Sequence, residues 1–273
     1  MSEDAGREEP ITWHHGLMAR WWAEFNQAEP AELAFYQAAI ERFGQPALDL
    51  ACGAGRLLVP LLEAGLEVDG ADVSPDMLAQ ARRLAADQGL HPTLTAQPIR
   101  GLDLDRRYGT IFICDSFGIG GTRSDDLEGL RRVFAHLQPG GALVFSHHLP
   151  YGDEESEWLR WLPHRHGETE PWPETGDRRR AADGDELELV FREREWDPLL
   201  QRSILEVRAR RWRDDQVVEQ EEHAIMLAAY FGQEVVTMLE TVGFVDVEIQ
   251  NAYTGEPATS DDVHVVFVAR RPA

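Results

Sequence analysis

The sequence predicts an α/β fold: a mostly parallel sheet wrapped by helices, with an antiparallel β subdomain inserted late in the chain. Three observations lead there. From residue 46 onward, short β-branched runs alternate with helical patterns. A glycine-rich turn joins the first such run to the first such helix. Residues 185–228 then abandon the alternation for consecutive strand-like stretches. A chain of 273 residues buries a sizeable core and suits one large domain carrying an inserted subdomain.

Ala47–Ala51 (ALDLA) reads as the first strand. After the glycine turn, Arg56–Ala64 places Leu57, Leu58, Leu61 and Leu62 at helical spacing, and Gly65 suits the left-handed residue past a helix end. Glu67–Asp72 is the second strand. Ser74 then caps and Pro75 opens a helix with Met77, Leu78, Ala81 and Leu84 on one face, stopping near Gly89. Pro92–Gln97 and Gly109–Asp115 (GTIFICD) read as strands three and four. Asp125–Leu137 is a helix closed by Pro139-Gly140-Gly141, and Ala142–His148 is strand five. Residues 151–183, rich in Trp, Pro, Glu and Gly, read as a loop or lid. Around Glu186–Arg194, Ser203–Arg213 and Val217–Leu227, three stretches suggest an antiparallel meander. A helix over Gln233–Val242 ends at Gly243, and Phe244–Asn251 with Val263–Ala269 closes the sheet as a hairpin.

Lys and Arg total 26 against 49 for Asp and Glu, so the net charge of −23 repels phosphate backbones and argues against a nucleic-acid partner. The runs Arg178–Arg180 and Arg208–Arg213 lie among acids and read as a solvated face. The two cysteines, Cys52 and Cys114, sit in apolar, strand-like runs, which fits a reducing cytoplasm. Neither a basic leader followed by an apolar stretch nor a run approaching about 18 apolar residues occurs, so a cytoplasmic protein with no membrane partner is expected. Residues 1–10 read as a disordered acidic tail.

The most informative segment is Asp49-Leu50-Ala51-Cys52-Gly53-Ala54-Gly55. Glycines there let a ligand approach the backbone, and the helix that follows exposes N–H groups at its start. Asp72 ends the next strand 19 residues after Gly53, where a carboxylate can accept both hydroxyls of a ribose. DLACGAG, together with GADVSPDML, the Gln97-Pro98-Ile99 turn, YGTIFICDSFG, LQPGGALVF and ETVGF, resembles the class I S-adenosylmethionine-dependent methyltransferases from about Ala47 to the C-terminus. One departure is Ala51, where that family most often has glycine. A nicotinamide-dependent oxidoreductase shares the strand, turn, helix and distal acid, but its fingerprint wants a small residue at position 58, where Leu58 stands.

The resemblance implies a Rossmann-like, seven-stranded sheet flanked by helices, and S-adenosyl-L-methionine as cofactor. Asp49, Ala51, Cys52, Gly53 and Gly55 would surround its methionine part, Asp72 the ribose, Val73 and Met77 the adenine. Gln97, Pro98 and Ile99 would border the adenine edge, with Asp115, Ser116 and Phe117 beside the sulfonium. It further implies an enzyme transferring methyl to an O or N atom of a small molecule, in the natural-product or amino-sugar branch; the alternative is a non-catalytic S-adenosylmethionine-binding protein.

The expected division is a helical lid over 11–45, the core over 46–150 and 230–273, and an antiparallel cap over 151–229 whose sheet can pair two subunits as a homodimer. Trp13, Trp22, Tyr36 and Tyr230 are candidates to bind substrate, although these aromatics equally serve to pin helices on the core; Trp158, Trp161 and Trp172 in the insertion join them. His147 and His148 end strand five, and one of them, with Tyr151, is expected to orient or deprotonate the acceptor, with His14, His15 or Tyr230 next in line. His164-x-His166 lacks further ligands at suitable spacing, so no metal is expected.

Overall fold

In the computed structural model, which describes residues 11–151, 169 and 171–273, the core is a sheet built from β1 (Ala47–Leu50), β2 (Val68–Asp72), β3 (Leu94–Ala96), β4 (Tyr108–Ile113), β5 (Leu137–His148), β10 (Val245–Asn251) and β11 (His264–Arg270). These seven strands run in the order β10-β11-β5-β4-β1-β2-β3. Strands β1 to β5 are parallel, and β11 is antiparallel to both β5 and β10.

Successive strand residues point to opposite faces, and both faces are apolar because helices cover both. Leu48 and Leu50 of β1, Ile111 and Ile113 of β4, and Leu143 and Phe145 of β5 face α5 (Arg123–His136) and α6 (Gly232–Val242). Ala47, Phe112, Val144, Val266 and Val268 face the other way, onto α2 (Pro30–Phe43) and α3 (Leu58–Glu63). Each large side chain buried in these layers contributes about 1.5–3 kcal/mol. In α4 (Pro75–Asp87), the Met77 amide donates to Ser74 Oγ at 3.2 Å, which is the anticipated cap. Gly243 ends α6 with φ 112°. α5 begins at Arg123 because Thr122 and Asp125 form a reciprocal capping box.

Two expectations are corrected. Pro139-Gly140-Gly141 does not separate helix from strand, since β5 already begins at Leu137. A Cβ on Gly141 would stand 2.7 Å from the Gly109 carbonyl oxygen, so glycine lets β5 run against β4 at that point. The insertion also holds four strands where three were expected: β6 (Asp177–Arg180), β7 (Glu186–Asp197), β8 (Arg202–Arg213) and β9 (Gln216–Ala228), an antiparallel sheet in that order. β6 is the arginine run read as a solvated face. Exposed strand it is, with Arg178 and Arg180 paired to Glu186, while Arg211 and Arg213 converge on the buried Asp185.

The inner face of this second sheet, with Leu187, Leu189, Val207 and Ile225, packs on Trp13 and on Leu17, Met18 and Trp21 of α1 (Gly16–Phe25). The N-terminal helices therefore divide. α1 belongs with the inserted sheet, whereas α2 is a core-layer helix against β4 and β5. Trp158, Trp161, His164, His166 and residues 1–10 lie outside the described residues. Among those described, no helix is long and apolar enough to cross a membrane.

Candidate active site

The turn after β1 takes left-handed backbone at Ala51, Gly53 and Gly55, with φ 65°, 53° and 87°. Its N–H groups are largely spoken for: those of Ala51 and Cys52 donate to the Ala71 carbonyl, that of Gly55 to Cys52, and that of Gly53 to Asp72 Oδ2 at 2.9 Å. The expected array of outward N–H donors is thus replaced by a turn tied to β2. Gly55 lets α3 and α4 meet closely, since a Cβ there would lie 3.3 Å from both Ala81 Cβ and Val59 Cγ2.

A cavity of about 490 Å³ opens where the parallel strands end, on either side of β1. That is the topological switch point of the sheet, because the chain leaves β1 for β2 on one side and returns to β4 on the other. Asp49, Ala51, Cys52 and Gly53 line its base; Asp72, Val73 and Met77 one flank; Gln97, Pro98 and Ile99 the next; Asp115 and Ser116 the β4 side. Two candidates do not line it. Gly55 serves helix packing, and Phe117 is buried between Phe145 and Tyr230, with ring centroids 5.1 and 5.2 Å away. Cys52 and Cys114 lie just past strand ends at this cavity and not within the strands.

Burial dominates the electrostatics. It pushes Asp49 up to about 8, against the nearby Arg56 charge. It raises Asp72 too, opposed by the Ser74 and Gly53 amides that donate to its two oxygens. Both carboxylates are nonetheless next to a cavity a cation can enter. At the β4 end, burial would raise Asp115, but hydrogen bonds with His264 and Ser146 outweigh it and hold this carboxyl well below the usual range. Alongside, Arg56 pairs with Glu32 and its second nitrogen reaches Cys114 Sγ at 2.8 Å, while Tyr253 donates to Glu32 at 3.2 Å.

Across from this floor stand Trp13, His14 and Trp22, with Ile119, Ile225 and Leu227 from the inserted sheet and the loop after β4. The indole N–H groups of Trp13 and Trp22 find no acceptor among the described residues, so two buried donors are left over at the cavity. Asp125 and Asp126 of α5 border the same half. Burial pushes Asp126 up to about 6, and Tyr230 donates to it at 2.5 Å. Tyr230 and Tyr36 themselves are fully buried and do not line the cavity; Tyr36 packs on Phe112 and donates to Ser146 Oγ at 3.4 Å. His14 is held neutral, its pKa lowered to about 4 by burial and then by His15.

The strand-end histidines separate as alternation requires. His147 is buried among Phe117, Tyr230 and Phe267, its Nε2 is 3.2 Å from the Tyr230 carbonyl, and it does not reach the cavity. His148 lines the cavity. Tyr151 is 40% exposed, stacks on Phe231 with centroids 6.1 Å apart, and is not in the lining. Sequence reading missed His264, which lies opposite His148 in the β11–β5 ladder. It missed Arg56, Glu32 and Ser146 as well. The only signal for them is tertiary, since they come from α2, the glycine turn, β5 and β11.

Residues 47–141 match a family model described as a methyltransferase domain. Over 113 residues the chain is 36% identical to a putative methyltransferase, YqeM, of Bacillus subtilis (strain 168), covering 38% of this chain and 42% of that protein. The chain spans about half the length of the curated relatives it matches. Among solved structures, an S-adenosylmethionine-dependent methyltransferase from Clostridium acetobutylicum ATCC 824 superposes with a TM-score of 0.70 at 17% identity, covering 93% of this chain and 98% of the other. The sugar N-methyltransferase KedS8 from Streptoalloteichus sp ATCC 53650 gives 0.68 at 18% identity, covering 100% and 98%. The fold of this chain, a seven-stranded mixed sheet with helices on both faces and a four-stranded antiparallel sheet between β5 and the last helix, is similar to that of these two methyltransferases.

Proposed function

We propose that this chain, whose residues 47–141 carry a methyltransferase domain on a class I methyltransferase sheet, transfers a methyl group from S-adenosyl-L-methionine to an O or N atom of a small-molecule acceptor. The observation that carries this reading is Asp72, a buried carboxylate at the end of β2 that borders the cavity and is fixed by two backbone amides. Each carboxylate oxygen keeps a further lone pair for a ribose hydroxyl. The rest of the lining fits the same group. Val73, Met77, Pro98 and Ile99 offer apolar contact for adenine, and Asp49 and Asp115 offer negative charge where an ammonium and a sulfonium would lie.

When bound, the cofactor supplies a methyl on a sulfonium that departs as a neutral thioether, so no general acid is required. What remains for the protein is alignment and exclusion of water. Trp13, Trp22, Ile225 and Leu227 close the cavity over the acceptor, and the two unpaired indole N–H groups and Asp126 supply polar contacts to it. His148 and Asp115 form its polar end. Two Trp side chains in place of an open groove, together with the net charge of −23, favour a small molecule over a nucleic acid. A cytoplasmic location accords with the free thiols of Cys52 and Cys114. A homodimer through the inserted sheet is supported by the outer edge of β9, where Val217 and Val218 are exposed.

Calorimetry with S-adenosylhomocysteine and NADH tests the cofactor, and turnover of S-adenosylmethionine against a panel of small hydroxyl and amine acceptors tests the activity. Micromolar binding of S-adenosylhomocysteine and methylation of at least one acceptor are expected. Tighter binding of NADH would overturn the reading, whereas binding with no turnover on any acceptor would leave a non-catalytic S-adenosylmethionine-binding protein.

A further inference from the structure

Asp115, His148 and His264 come from three separate elements: the loop after β4, the end of β5 and the start of β11. One ligand atom from each lies within 4.8 Å of the others. The imidazoles of His148 and His264 lie face to face, centroids 4.0 Å apart and planes 5° from parallel. Stacked so, both present Nε2 to a single oxygen, Asp115 Oδ1, at 3.9 and 3.0 Å. The longer separation exceeds a hydrogen bond. The shorter is a hydrogen bond between His264 and Asp115; with the rings parallel, their Nε2 lone pairs run side by side, so a shared divalent ion at about 2.0–2.2 Å requires one imidazole to turn about its side-chain bonds.

We propose that Asp115, His148 and His264 hold a first-row divalent cation at the edge of the cavity. Two imidazoles and a carboxylate select a borderline metal such as zinc or cobalt over magnesium, which prefers an all-oxygen shell. The charges agree. Asp115 divides its oxygens, with Arg56 4.0 Å from Oδ2 and the two histidines around Oδ1, so the guanidinium stands on the far side of the carboxylate. Ser146 Oγ donates to Oδ1 at 2.6 Å and is itself a hydrogen-bond acceptor for Tyr36, which orients the ligand oxygen from behind. A second cluster, Glu32, Cys114 and Asp115, is also close-set. There the Arg56 guanidinium already bonds Glu32 and Cys114 and fills the place of a cation.

Three protein ligands leave coordination positions open, and His148 and Asp115 both line the cavity. This deepens, and rests on, the methyltransferase reading: the cation would take an acceptor hydroxyl. Its positive charge lowers the hydroxyl pKa, the proton passes to solvent, the oxygen forms a bond to the methyl carbon, and the carbon–sulfur pair returns to sulfur as a neutral thioether.

The test titrates the metal-stripped chain with Zn²⁺ and Mg²⁺ by calorimetry, and with Co²⁺ while recording its visible absorption. Expected are one site for Co²⁺ and Zn²⁺, negligible heat with Mg²⁺, and a loss of affinity of at least about ten-fold in each of His148→Ala and His264→Ala. Circular dichroism and melting establish that the variants are folded; should His264→Ala unfold, His264→Gln and His148→Ala carry the comparison. No Co²⁺ or Zn²⁺ site in wild type, or a site that survives both single variants and their combination, overturns the proposal. S-adenosylhomocysteine binding measured on the same wild-type preparation separates the two readings. If it fails while the metal binds, the cofactor assignment falls and the metal site stands.

Discussion

The Gly53 amide donates to Asp72 Oδ2 at 2.9 Å, joining the glycine turn after β1 to the end of β2. The residue proposed to hold the ribose therefore also fixes the glycine turn at the base of the cavity. Asp72→Ala removes both functions, and loss of a hydrogen bond to a charged group costs about 1.5–3 kcal/mol, a ten- to hundred-fold weakening. Calorimetry with S-adenosylhomocysteine measures it. Unchanged affinity would remove Asp72 from the site.

Asp49 connects cofactor binding to pH. With its pKa pushed up to about 8, it is mostly protonated at pH 7 in the free protein. A bound cation favours the carboxylate, so binding releases a proton and S-adenosylmethionine affinity rises as pH climbs toward 8. Folding has the opposite slope. An acid whose folded pKa exceeds its unfolded value loses stability as pH rises from the ordinary carboxylate range through the folded pKa. Asp49→Asn is thus expected to melt higher than wild type at pH 8 and to show a flatter affinity profile. Identical pH slopes in the two proteins would refute the linkage.

Ala51 holds φ 65°, a backbone region that costs an L-residue with a Cβ about 1–2 kcal/mol. Ala51→Gly removes that cost while adding freedom to the unfolded chain. A net gain near 1 kcal/mol, or about 2–4 °C in melting temperature, is expected. A lower melting temperature would mean that the Ala51 methyl packs better than the backbone suffers.

Glu32 is buried, 4% exposed, and faces Arg56, Cys114 and Tyr253 together. Burial alone would raise it, but the Arg56 and Cys114 hydrogen bonds outweigh that and lower its pKa. Glu32→Ala removes the hydrogen-bonded partner of the guanidinium, leaving Asp115 at 4.0 Å, and should cost about 2–4 kcal/mol in denaturant unfolding. The double variant Glu32→Ala/Arg56→Met should cost less than the single one. A double variant that costs as much as Glu32→Ala alone, or more, would contradict the account.

The sequence alone determined the order of the core elements and most of the residues that line the β1, β2 and β3 side of the cavity. Strand and helix periods, Ser74 before Pro75, and Gly65 and Gly243 past helix ends are local signals that act over a few residues, and a strand–turn–helix unit with an acid 19 residues on needs no distant partner to be read. β6 escaped because three consecutive arginines have no apolar alternation; it is a strand because its backbone pairs antiparallel with β7, Asp177 opposite Leu189 through Arg180 opposite Glu186. What the tertiary structure decided is the opposite side of the cavity. Whether His147 or His148 meets the cavity depends on the twist and pairing of β5, and Asp115, His148 and His264 become neighbours only because β11 runs antiparallel along β5, placing His264 opposite His148 across a sequence gap of more than a hundred residues. Such contacts depend on where the chain crosses in space, and spacing along the sequence carries no trace of it.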